Sequence, residues 1–145
     1  MAFGNARSPS PTSQVTIAVD SSVLMAVFKD EPSAAAWFGL LLRLRLESEL
    51  IACDVVWSEV APLFSDSDRL RTGMDRLGVV FSAMEEQTAF TAGQLFSGYR
   101  KGGGSRTRMI PDFMIAAHAL CQAGALLTAD REFARRFPQI KLVQP

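Results

Sequence analysis

At 145 residues, 48% hydrophobic and 21% charged, the chain has the size and make-up of one globular domain able to bury an ordinary core. Its 15 Lys and Arg balance 15 Asp and Glu, which excludes a general positive coat, so any polyanion must be drawn by a local patch. The two cysteines have no CxxC spacing; Cys53 in an expected strand and Cys121 in an expected helix read as small buried residues in a reducing compartment.

Residues 1–14, MAFGNARSPSPTSQ, are rich in Ser and Pro and lack an apolar core, so they read as a flexible leader and not a signal peptide. The domain then occupies residues 15–145. VTIAVD at 15–20 is a nearly continuous apolar run, as expected of a strand covered on both faces. A short helix follows over 21–28. In DEPS, Pro32 is expected in the first turn of a second helix that reaches Glu47. The apolar stretch 34–46 within it is too short to span a bilayer and is interrupted by Arg43 and Arg45. The protein therefore reads as soluble and cytoplasmic, with no membrane partner.

Strand two is expected at 50–53, with Asp54 placed to cap a helix through Trp57 and Glu59 to about residue 64. Ser65, Asp66 and Ser67 offer caps for a helix to about Leu77, and strand three follows at 79–81. Ser82 and Glu85 form an S-x-x-E capping box opening a helix to about Arg100. KGGGSRTRMI (101–110) is expected to be a mobile loop. A helix from Pro111 to about Ala123 should end at Gly124 as a left-handed cap. A strand at 125–128, a short helix at 131–136 and a fifth strand, IKLV at 140–143, complete the pattern. Alternating strands and helices imply a single α/β domain with a mainly parallel five-stranded sheet flanked by helices.

Asp20, Glu59, Asp112 and Asp130 each sit where a strand ends or a helix begins. In open parallel sheets ligands bind beyond the carboxyl ends of the strands, where Asp20 and Asp130 are expected. Four carboxylates cannot share a cleft without compensating positive charge, and a divalent-metal site is the economical answer. All-oxygen ligands favour Mg²⁺ or Mn²⁺ over zinc, and the chemistry they imply is phosphodiester hydrolysis. Simpler roles compete: Asp20 and Asp112 also suit helix starts, and Glu132 competes with Asp130. Glu59, among Trp57, Val60 and Leu63, is harder to explain as an exposed charge. His118, the one histidine, lies off the Asp112 face and is assigned to structure.

The segments VDSSVL (19–24), VVWSEV (55–60), RMIPDFMIAAHAL (108–120) and LLTADREF (126–133) occur in this order with suitable gaps. Together they resemble the PIN-domain ribonucleases, and within them the VapC toxins of toxin–antitoxin pairs, from Val15 to Pro145. The resemblance implies that Asp20, Glu59, Asp112 and Asp130 are catalytic and hold Mg²⁺ or Mn²⁺, with Ser22 and Thr128 as supporting hydroxyls. It further implies an RNA substrate, a VapB-like antitoxin whose Arg could pair with these acids, and a homodimer.

Arg100, Lys101, Arg106 and Arg108 precede Asp112 with no acid among them, while Arg131, Arg135, Arg136 and Lys141 follow Asp130. Of these, Arg100, Lys101, Arg106, Arg108 and Arg131 are expected to contact the RNA backbone. The glycine run is no Walker loop, since no Gly-Lys-Ser/Thr follows. A housekeeping RNA-processing nuclease without an antitoxin, or a non-catalytic binding module on the same fold, fits the same residues. A haloacid-dehalogenase-type phosphatase fits worse, because it needs Asp-x-Asp where this chain has Asp20-Ser21-Ser22.

Overall fold

The β-branched run at the start of the domain forms β1 (Val15–Val19), the centre of an all-parallel sheet in a computed structural model that describes residues 15–105 and 110–143. On one side β1 pairs with β2 (Ser48–Cys53), which pairs in turn with β3 (Val79–Ser82); on the other it pairs with β4 (Ala125–Leu127). The order is therefore β3-β2-β1-β4, and Ala18 lies between Ile51 and Leu126. Among the described residues the sheet has four strands where five were expected. The last segment contributes only an isolated parallel bridge, Leu126 to Leu142, because Lys141 O and the Val143 N–H alone meet the edge of β4.

α1 (Ser21–Phe28) and α2 (Ala34–Leu44) connect β1 to β2. Asp30 turns the chain between them in the left-handed region, at φ 54°, a conformation that Asp adopts more easily than most residues. α2 is shorter than expected: Ser33 occupies the cap position, so Pro32 precedes the helix. α3 (Asp54–Val60), a 3₁₀ turn (Ala61–Leu63) and α4 (Ser67–Leu77) connect β2 to β3. Asp54 lies inside the first turn of α3 and does not cap it; Cys53 holds the cap position. Asp66, by contrast, caps α4 by accepting the Arg69 N–H at 2.8 Å.

α5 (Glu86–Lys101) and α6 (Pro111–Gln122) return the chain to the far side of β1. Because these parallel crossovers are right-handed, the reversal in direction puts α5 and α6 on the face opposite α1 to α4. This explains why Ile17, Ala18, Val19, Leu50, Ile51, Ala52 and Cys53 are all buried.

The expected capping box is not formed. The Ser82 hydroxyl meets His118 Nε2 at 2.9 Å, and Gln122 Oε1 from α6 takes the Glu85 N–H at 3.0 Å and the Thr88 hydroxyl at 2.6 Å. Gly124 is not a left-handed cap either: Ala123 leaves α6 extended at φ −140°, and the Gly124 N–H enters the sheet on Thr16 O. Cys53 is buried as expected, whereas Cys121 is exposed at the surface of α6; both are free thiols.

The start of the glycine segment is wound, not open. Gly103, at φ 101°, and Gly104 send their N–H groups to Arg100 O and Tyr99 O. A Cβ on Gly104 would collide with the Tyr99 ring. α7 (Glu132–Arg136) follows β4 and is fastened by Phe133 and Phe137, both buried. Phe137 packs edge-on against Phe113 of α6 with centroids 5.3 Å apart. None of the helices among the described residues is long and apolar enough to cross a membrane.

Candidate active site

β1 and β4 are neighbours, but the chain leaves β1 in one direction and returns to β4 from the other. Their carboxyl ends thus form the topological switch point of the sheet, where a crevice opens. The Asp20 N–H extends the ladder by donating to Leu127 O at 2.9 Å, which sets Asp20 beside Thr128. Asp20 is buried, with 4% of its surface exposed, and stands at the cap position of α1 without capping it. Its Oδ2 instead accepts the hydroxyls of Ser22 and Thr128, each at 2.7 Å.

Those hydroxyls are themselves fixed. Ser22 Oγ accepts the Ala129 N–H at 2.9 Å, and Thr128 Oγ1 accepts the Asp130 N–H at 3.0 Å. Both hydrogens therefore point at Asp20, the arrangement expected of groups that orient a carboxylate. Burial nevertheless dominates: it raises the Asp20 carboxyl above its ordinary value, the hydroxyl bonds oppose this, and the Asp112 charge adds to it.

Glu59, near the end of α3, is half-buried and accepts the Ser21 hydroxyl on Oε1 at 2.7 Å. Its carboxyl is also raised, chiefly by burial and further by the charges of Asp20 and Asp112. Asp20, Glu59 and Asp112 thus form one electrostatic group. Asp112, in the first turn of α6, joins Asp130 through one guanidinium. Arg136 Nη1 donates to Asp112 Oδ2 at 2.7 Å and Nη2 to Asp130 Oδ2 at 3.1 Å. The same guanidinium lies over the rings of Phe133 and Phe137, 5.6 and 5.8 Å from their centroids.

The structure brings together all four sequence-selected acids and both supporting hydroxyls. Reading the sequence missed Ser21, the donor to Glu59, and the cationic bridge made by Arg136. The place of Arg136 in a basic group after Asp130 was legible, but its bridge to Asp112 depends on how α7 docks. His118 is buried, bonded to Ser82 and outside the acidic group. Arg100 and Lys101 occupy the last turn of α5, beside Tyr99, whose ring packs on Phe113 next to Asp112. Arg131 is exposed and lines a groove of about 480 Å³ with Trp37, Thr128 and Asp130. Arg106 and Arg108 lie outside the described residues.

The donor set suits a hard divalent cation in kind, being all oxygen, with one carboxylate pre-oriented by two hydroxyls. As the side chains are turned here, no three acid, His or Cys groups among the described residues stand close enough to hold an ion. The cause is visible: Asp112 and Asp130 face Arg136, and Glu59 faces Ser21.

A parallel α/β domain with an acidic cleft at its switch point is the class that fold and site define. The chain belongs to the PIN domain family, which it matches over residues 17–136. A search of the curated proteins gives no significant match. Among solved structures it is similar to a chain of VapBC2 from Rickettsia felis bound to a promoter DNA fragment, at 16% identity and TM-score 0.70, covering 88% of this chain and 97% of that one. It is also similar to a chain of DNA-bound VapBC from Salmonella typhimurium, at 17% identity and TM-score 0.66, covering 89% and 97%. A chain of FitAB bound to a DNA fragment is 20% identical, with TM-score 0.60, covering 88% and 93%. At such identities the likeness carries the fold alone.

Proposed function

We propose that the chain is an endoribonuclease dependent on Mg²⁺ or Mn²⁺, acting as the toxin of a VapBC-type toxin–antitoxin pair. The observation that carries this reading is the convergence of Asp20, Glu59, Asp112 and Asp130 at the switch point, with Ser22 and Thr128 aimed at Asp20. When bound, the metal supplies an acidified water and a positive charge for the leaving oxygen. The chain's own part is to hold and orient. Ser22 and Thr128 fix Asp20, Ser21 fixes Glu59, and the first turn of α6 presents Asp112 at the rim.

An antitoxin partner has support in a second feature. An apolar groove of about 840 Å³ runs between the early helices and α4, lined by Val27, Phe28, Phe38, Leu63 and Phe64. A groove of this kind suits an amphipathic partner helix. In the same reading the chain pairs with a second copy, and exposed Val80 and Phe81 on the edge strand β3 support a contact of that sort. Cytoplasmic RNA is the substrate class.

The test is cleavage of total RNA with Mg²⁺ or Mn²⁺ by the parent and by Asp20→Asn and Asp112→Asn. Both variants should fold and lose cleavage and growth inhibition by at least about a hundredfold. A folded variant as active and as toxic as the parent removes the catalytic assignment.

A further inference from the structure

Resting on the reading just given, we propose that the groove between Trp37 and Arg131 seats one unpaired nucleotide of the RNA, its base against the indole and its phosphate on the guanidinium.

The groove has a volume of about 480 Å³ and adjoins the acidic cleft, because Thr128 and Asp130 line it as well. Thr128 is a hydroxyl donor to Asp20, so the groove begins one side chain away from the one buried acid of the four. A volume in this range suits a single group the size of a nucleotide. Leu142 and Val143, from the segment bridged to β4, add aliphatic surface to it.

Two of its residues are otherwise unengaged. Trp37 and Phe38 are neighbours on α2, about 100° apart around the helix. They line different grooves, Phe38 the one beside α4 and Trp37 this one. The other tryptophan, Trp57, packs edge-on against Phe81 with ring centroids 5.1 Å apart. Trp37 pairs with no aromatic ring among the described residues. Arg131 is exposed, and both acids beside it in sequence are taken: Asp130 by Arg136 at 3.1 Å and Glu132 by Arg135 at 3.3 Å. Arg131 itself forms no ion pair among the described residues. The groove therefore offers an indole and a cation, both without a partner, at the edge of an acidic cleft.

That combination fits a nucleotide. A base has a π face to stack on the indole, and its phosphate needs a positive charge. Duplex RNA does not fit, because its bases are stacked on one another and its accessible groove shows only edges and 2′-hydroxyls. The substrate class is therefore single-stranded or looped RNA. Stacking on Trp37 favours any unpaired base over none and selects no sequence by itself.

The test measures binding in chelator, so that no RNA is cut, to a short single-stranded RNA and to the same backbone stripped of its bases. The parent should bind the RNA about 5- to 150-fold more tightly than the abasic strand. Trp37→Leu should lose that preference, Trp37→Phe should keep most of it, and Arg131→Ala should weaken both strands by the same factor. In Trp57→Phe, where Trp37 is the remaining indole, the RNA should quench fluorescence and the abasic strand should not. A parent with no preference, the result expected of a groove that takes an apolar side chain of a partner protein, overturns the proposal. So does a folded Trp37→Leu with the parent's full preference, or Arg131→Ala that binds both strands as the parent does. If Trp37→Leu fails to fold, quenching decides: a preference for bases without quenching of Trp37 overturns the proposal. Failure of the parent to cleave RNA with Mg²⁺ or Mn²⁺, with the base preference present, removes the nuclease reading and leaves this site standing. Absence of the preference in a parent that cleaves RNA removes this inference alone.

Discussion

The Ser21 hydroxyl donates to Glu59 Oε1 at 2.7 Å, tying the first turn of α1 to the last turn of α3 across 38 residues of chain. Among the described residues this is the one hydrogen bond made by the Glu59 side chain. Ser21→Ala should therefore leave the fold intact and lower RNA cleavage by about 10- to 100-fold, the usual cost of losing a group that orients a metal-binding carboxylate. Ser21→Thr should restore much of it. Initial rates on one purified RNA, with circular dichroism as the fold control, give the answer; an unchanged rate in Ser21→Ala removes the positioning role.

Ionised Asp20 is costly in the metal-free protein. Burial raises its carboxyl, so the native state favours the protonated form, and above that raised value the buried charge costs stability. Asp20→Asn keeps an oxygen for Ser22 and Thr128 without the charge. In chelator at neutral pH it should melt higher than the parent by about 3 °C for each kcal/mol relieved. The gap should narrow as pH falls toward the ordinary carboxylate range. A lower melting point for Asp20→Asn at neutral pH contradicts this account.

His118 carries the opposite sign. Its ring is held below the ordinary 6.5 by burial, against the smaller opposing charges of Asp54 and Glu85. The fold thus keeps it neutral, and the unfolded chain takes up the proton first on acidification. Its contribution is whole above about pH 6.5 and is lost as pH falls toward the depressed native value. The parent should lose more unfolding free energy than His118→Gln between about pH 7.5 and about pH 5. Parallel curves for the two proteins would show that His118 does not titrate on unfolding in this window.

Trp37 and Arg131 line the groove beside Thr128 and Asp130. A half-buried indole there offers a face for a base, and Arg131 a charge for the backbone. Arg131→Ala should weaken RNA binding evenly across sequences and reduce the salt slope by about one. Trp37→Leu should cost about 1–3 kcal/mol of binding with little change in that slope. Fluorescence anisotropy at several salt concentrations separates the two effects, and equal slopes for Arg131→Ala and the parent would remove Arg131 from the RNA path.

The sequence was most legible where neighbouring residues decide the outcome. Asp20, Ser22, Thr128 and Asp130 are close to the ends of apolar runs, so parallel pairing of β1 with β4 brings them together without further information. Partners from distant elements were not legible. Ser82 has a local acid at the right spacing for a cap, yet His118 of α6 takes its hydroxyl and Gln122 supplies the cap. Gly124 has the composition of a helix stop, but pairing with Thr16 begins at once and holds it extended. The Arg136 bridge depends on α7 docking through Phe133 and Phe137, which no local pattern around Asp112 announces.

The ladder bond from Asp20 to Leu127 joins an early part of the chain to a late one. During synthesis Asp20, Glu59 and Asp112 emerge well before Thr128, Asp130 and Arg136, and β1 must wait with one edge unpaired. Until β4 arrives, Asp20 lacks the Thr128 donor and the acidic group lacks its internal cation. Under the proposed function, a chain made only as far as Asp112 is harmless to RNA, because β4 and α7 are needed to complete the cleft.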